Sequence, residues 1–154
     1  MGVKNLMKQI PQIKLCDVFS HFAGCEFIID CAHLMIRCAF RESATFVINN
    51  YIPALKLFQQ QILYMKSREV KYYMVFDGCT RLEKEPENLR RQETREKAHA
   101  KLLEKKANNE NFTSTDFRGL VSNTSLYIAM CVKVCKQNSI PFAVARFEAD
   151  SQVV

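Results

Sequence analysis

The sequence predicts an α/β domain built on a parallel sheet, and three observations carry that expectation. Glu26-Phe27-Ile28-Ile29-Asp30 is a short apolar run that stops at an aspartate. Lys71-Tyr72-Tyr73-Met74-Val75-Phe76 is another, and it runs into Asp77-Gly78. Helical periodicity separates them, and a third short run, Ile140-Pro141-Phe142-Ala143-Val144, follows a further helical stretch and leads to Glu148 and Asp150. Strands alternating with helices signal βαβ units and a parallel sheet. In such sheets the functional crevice lies beyond the C-terminal strand ends, where Asp30 and Asp77 would both project.

A chain of 154 residues is enough for one hydrophobic core and not for two, and no linker divides it, so residues 1–154 are expected to form one unit. With 48% hydrophobic and 25% charged residues and only 4 Gly and 4 Pro, it is neither disordered nor fibrous in composition. No apolar stretch approaches the roughly 18 residues that cross a bilayer. The opening Met1-Gly2-Val3-Lys4-Asn5-Leu6 lacks a secretory pattern, so no membrane partner is expected. The formal charge of +6 favours a polyanionic partner. Seven cysteines cannot all pair within the chain and read as free thiols of a reducing compartment. No C-x-x-C pair occurs, and Cys131 and Cys135 read as small buried side chains one helical turn apart, so structural zinc is not expected.

Along the chain, residues 2–10 have a helical pattern (Val3, Leu6, Met7, Ile10) that Pro11 ends. Residues 31–41 read as helix, as do residues 51–67 with Ile52, Leu55, Phe58, Ile62 and Met65 on a recurring face. Residues 81–106 hold nine Lys/Arg and six Glu. Pro86 suits a first helical position, and a helix from there to about Ala107 would carry too thin a stripe, Leu89 and Leu102-Leu103, for deep burial. It should be exposed, or free to close over something. Asn108-Asn109-Glu110-Asn111 breaks the pattern, and residues 119–137 resume a packed helix with Leu126, Ile128, Ala129, Val132 and Val134. A doubly wound sheet would continue past Asp150 with another helix and more strands, so the core is expected to be incomplete at its C-terminus. No G-x-G-x-x-G or P-loop motif occurs.

Four carboxylates, Asp30, Asp77, Glu148 and Asp150, each follow a strand-like run and can gather at one sheet edge. Gathered there, they would repel one another unless protonated or bridged by cations. Mg²⁺ or Mn²⁺ suits such oxygen ligands, and a pair of ions can activate water and stabilise a leaving oxygen at a phosphodiester. Lys84 and Arg91, seven residues apart, share a helix face and could hold a phosphate. Arg90, Arg95, Lys97 and Lys101 could contact other backbone phosphates. Plainer roles compete: Asp30 as a helix cap, Asp77-Gly78 as a turn pair, and the charged helix as a solvated face. His21, His33 and His99 form no motif. Tyr72, Tyr73 and Phe76 fit strand packing, while Phe40 is a stacking candidate.

Met1-Gly2-Val3-Lys4-Asn5-Leu6, Phe27-Ile28-Ile29-Asp30, Val75-Phe76-Asp77-Gly78-Cys79 and Phe147-Glu148-Ala149-Asp150-Ser151-Gln152, in this order, resemble the amino-terminal half of the flap endonuclease and 5′→3′ exonuclease family. Phe76-Asp77-Gly78-Cys79-Thr80 and the Glu-Ala-Asp ending are closer to its eukaryotic mismatch-repair exonuclease branch. The resemblance implies a PIN-like α/β fold and Mg²⁺-dependent cleavage of DNA near a 5′ end, flap or single-strand/duplex junction, in the nucleus and alongside repair or replication proteins. It implies metal ligation by Asp30, Asp77, Glu148 and Asp150, and contact of Lys84 and Arg91 with the scissile phosphate from a gateway-like helix of about residues 84–107. Gly2 would lie near the DNA. Three departures stand out. A further aspartate pair and a duplex-gripping segment of the family are not represented, Asn5 stands where glycine is usual, and Ile36 stands where an aromatic or histidine often stacks on a base. Two other readings follow: a catalytically incomplete product that binds nucleic acid or a protein partner, and a PIN-type ribonuclease.

Overall fold

The structure, a computed structural model, describes residues 25–68, 70–79, 84–147 and 149. The expected helix at residues 2–10, together with Gly2, His21, Glu148 and Asp150, lies outside these. Three strands, β1 (Glu26–Asp30), β2 (Lys71–Phe76) and β3 (Phe142–Val144), form a parallel sheet in the order β1-β2-β3. Glu26 pairs with Lys71 and Asp30 with Val75, so the C-terminal ends of β1 and β2 lie side by side. The α/β class and the parallel sheet are as expected.

The first crossover carries α1 (Cys31–Arg41), the short α2 (Ser43–Phe46) and α3 (Ile52–Ser67). The second carries α4 (Glu85–Ala107), α5 (Ser114–Arg118) and α6 (Ser125–Gln137). Parallel crossovers are right-handed in about 98% of cases, and two in the same direction put their packed helices on one face. Accordingly α3 packs on both α1 and α6. Alternation along the strands then divides the sheet. Tyr72, Met74 and Phe76 are buried in the main core, whereas Ile28 and Tyr73, paired in register, are 51% and 43% exposed. Tyr73 thus departs from the expected packing role.

The core is aromatic and thiol-rich. Tyr127 is fully buried, its ring sits edge-on to Phe46 at 4.9 Å, and its hydroxyl donates to the Met35 carbonyl at 3.4 Å. Cys31 and Cys38 of α1 and Cys131 and Cys135 of α6 are free and buried, the α6 pair as expected, whereas Cys25 is free and exposed despite the apolar residues that follow it. Burial pushes the Cys135 thiol up to about 11 and those of Cys31, Cys38 and Cys131 upward as well. Protonated thiols of this kind are packing groups.

Two helical expectations need correction. Residues 119–137 are not one helix: α6 starts at Ser125, where Thr124 accepts from the Tyr127 N–H at 3.2 Å, and the separate α5 precedes it. The buried stripe of α6 is Tyr127, Cys131 and Cys135, while Leu126 is 61% exposed. In α3 the buried positions are Ala54, Phe58 and Ile62, with Ile52 on the outside. Apolarity marks these helices, but two competing i, i+4 stripes exist in each, and the partner surface selects one.

Candidate active-site cleft

The C-terminal ends of β1 and β2 open into a cleft of about 980 Å³, walled by α1 on one side and α4 on the other. Asp30 and Asp77 stand at its base, and Lys84, Arg90, Arg91 and Arg95 line it. Lys97 and Lys101 lie further along α4, exposed and outside the cleft lining.

Asp30 ends β1 and caps α1, its Oδ1 accepting from the Ala32 N–H at 2.8 Å. The cap is a sufficient local reason for an aspartate here, and it also fixes the carboxylate at the cleft. Asp77 follows β2 and reaches across the molecule: its Oδ1 accepts from the Ala149 N–H at 2.8 Å, 72 residues away. Ala149 is the residue between Glu148 and Asp150. Backbone pairing delivers it there. Beyond the formal strands, the Ala145 N–H donates to Phe76, the Gly78 N–H to Phe147 and the Cys79 N–H to Arg146, each at a carbonyl. Gly78 permits the approach, because a Cβ at that position would sit 1.9 Å from the Ala145 carbonyl oxygen.

The charged wall is the 23-residue α4, about 34 Å long at 1.5 Å per residue. None of its residues is buried. Leu89 and Leu103 are 56% and 54% exposed, in line with the thin stripe. Lys84 occupies its N-cap, and Arg91 pairs with Glu87 one turn back. That pair is solvent-exposed and worth about 0.5 kcal/mol or less, so a phosphate can compete for Arg91. The far end of α4 is held to α5. Lys105 Nζ donates to Asp116 Oδ1 at 2.8 Å, while Asp116 Oδ2 accepts from the Thr113 N–H. The Lys105 hydrogen bond, then those from Thr113, hold the Asp116 carboxyl down at about 2. Gly119 seats against α4, where an added Cβ would approach the Ala98 Cβ to 2.8 Å.

Two cleft residues have no signal in the sequence. Arg118 adds a cation from α5. Asn123 donates from Nδ2 to the Ala32 carbonyl at 3.3 Å, and its buried Oδ1 has no partner among the described residues. Neither follows a recognisable motif; each arrives through loop geometry between α4 and α6. His33 also lines the cleft, from α1, whereas His99 lies exposed on α4.

Among the described residues no three His, Cys, Asp or Glu side chains are grouped so as to hold a metal ion. The donors that are present are of one chemical kind. Two carboxylates at adjacent strand ends fit a hard divalent cation such as Mg²⁺ or Mn²⁺ better than zinc.

A parallel sheet with helices packed on it, two strand-end aspartates and an exposed charged helix beside them define a PIN-like domain of the nuclease-type fold. The chain belongs to the family of the XPG N-terminal domain, which residues 1–98 match. Over its whole length it is 29% identical to the DNA damage-inducible protein DIN7 of Saccharomyces cerevisiae, covering 36% of that protein. It is 30% identical to the Exodeoxyribonuclease 1 of the same yeast, covering 22% of it. The chain therefore spans about a third or less of the curated relatives it matches. Among the described residues no helix is long and apolar enough to cross a membrane.

Proposed function

We propose that this chain is the amino-terminal part of a divalent-metal-dependent, structure-specific DNA 5′ nuclease that acts at a 5′ end, flap or single-strand/duplex junction. The observation that supports it most is the hydrogen bond from the Ala149 N–H to Asp77. It brings Ala149, which lies between Glu148 and Asp150 in the sequence, to Asp77 in a cleft that also holds Asp30, Lys84 and Arg91. The relatives, a DNA damage-inducible protein and an exodeoxyribonuclease, agree with DNA as the substrate class. A nuclear location follows from that role.

In this reading Asp30, Asp77, Glu148 and Asp150 hold Mg²⁺ or Mn²⁺, which supplies Lewis-acid activation of the phosphodiester and of water. The chain's own groups do the rest. Asp30 is oriented by its cap on α1 and Asp77 by the Ala149 N–H, so neither has to reorganise when substrate arrives. Lys84 and Arg91 neutralise the non-bridging phosphate oxygens, Arg91 by exchanging Glu87 for phosphate. Arg90 and Arg95, with Lys97 and Lys101 beyond the cleft, track the flanking backbone, and Gly2 lies near the DNA.

The test is cleavage of a 5′-labelled flap or recessed duplex by the 154-residue chain in Mg²⁺ or Mn²⁺, with Asp77→Ala alongside. Metal-dependent cleavage that disappears in the variant is expected, and cleavage unchanged by it would sink the assigned site. A second reading, DNA binding without turnover, draws on α4, whose exposed cations act independently of the carboxylates. Salt-dependent binding by a folded chain that never cleaves would establish it instead.

A further inference from the structure

The α1 wall of the cleft is chemically unlike the α4 wall. Its lining positions Ala32, Ile36 and Phe40 recur every four residues along one side of the helix and lead away from Asp30. Ala32 and Ile36 are half-buried, but Phe40 is 36% exposed at the last turn, while its neighbours Cys38 and Ala39 are buried. It is the one phenyl or phenol ring among the described residues of the cleft, and Arg90, Arg91 and Arg95 line the same space. Core packing does not account for a phenyl ring left exposed in a cleft lined by arginines. A flat π surface beside cations that track phosphates is the arrangement that holds an unstacked base.

We infer that Phe40 is a stacking platform for a base of single-stranded DNA entering the cleft, a substrate-positioning contact that deepens, and rests on, the nuclease reading above. Its place sets a distance. Ten residues of α1 separate Phe40 from Asp30, about 15 Å along the axis. At about 3.4 Å per stacked nucleotide, the platform serves a base within about four nucleotides of the phosphate held at the aspartates. Ile36, one turn closer, presents no π face, so the stacking contact on this wall belongs to Phe40.

The experiment uses the full chain and a duplex with a single-stranded 5′ extension, in EDTA so that nothing is cleaved. One position at a time carries 5-iododeoxyuridine for photocrosslinking. The expected result is a crosslink to Phe40 from a base within about four nucleotides of the junction. Phe40→Leu should bind between about 5- and 150-fold more weakly, and Phe40→Trp should restore binding, with the salt dependence unchanged throughout. Phe40→Leu binding as tightly as the parent, while Arg91→Ala binds more weakly, would overturn the platform and leave the nuclease reading standing. A folded parent chain that does not bind this DNA would overturn both. Circular dichroism and the melting temperature of each variant separate loss of contact from loss of fold.

Discussion

The sheet with its packed helices and the charged helix α4 obey opposite rules. In the first, Tyr127, Phe58, Phe76 and Met74 are completely buried, and four cysteines serve as small apolar groups. In the second, 23 residues pass without one buried side chain, and contact with the rest of the molecule is concentrated near Ala98 and at the Lys105–Asp116 pair. Stability therefore resides in the body, and the capacity to meet a polyanion resides in a helix that contributes little to holding the fold. Between them lies the cleft, whose acidic base belongs to the body and whose basic wall belongs to α4.

The sharpest way to test this division is to remove Tyr127. Tyr127→Ala deletes a buried ring packed against Phe46 and Tyr51 and should cost about 3–5 kcal/mol in urea unfolding. A loss under about 1 kcal/mol would mean that the core is not where the structure puts it. Next is Gly78→Ala, which drives a Cβ into the Ala145 carbonyl. It should destabilise by about 1–3 kcal/mol. It should also abolish metal-dependent cleavage more completely than that stability loss explains, because the Asp77–Ala149 contact is displaced. Thr124→Ala removes the N-cap of α6 and should cost about 1 kcal/mol with DNA binding intact.

Smaller effects sharpen the boundary between the regions. The Asp116 carboxyl is lowered in the folded state to about 2, so its contribution to docking α5 on α4 is present above the ordinary carboxylate pKa and lost as pH falls through about 2. Chemical shifts of Thr113 and Lys105 should report that step, and Asp116→Asn should erase it. Finally, Arg90→Ala on α4 should change stability by less than about 0.5 kcal/mol while lowering the salt slope of DNA binding by about one. A large stability loss there would end the idea that α4 is energetically separate.

How much of this was legible in the sequence depended on range. The strands, the α4 helix and its exposure followed from local pattern, as did Asp30 at a strand end that caps a helix. The start of α6 was misplaced although its cap, Thr124, is present, because the apolar residues Leu120 and Val121 extend a helical pattern across a loop. Arg118 and Asn123 were missed because each is an ordinary polar residue whose cleft position comes from how α5 and the following loop pack.

What the sequence determined by itself is whatever lies within one or two turns of a residue: strand period, helix caps, the charge of α4 and the aspartates at the ends of β1 and β2. These depend on backbone geometry and neighbouring side chains. What only the tertiary structure decided is which side of α3 and α6 is buried, why position 78 must be glycine, and that Asp77 meets the N–H of Ala149. The physical reason is the same in each case. A helix with two usable apolar stripes, or a carboxylate that can either cap or cross-link, is degenerate locally. The degeneracy is lifted only when packing brings a partner from far along the chain.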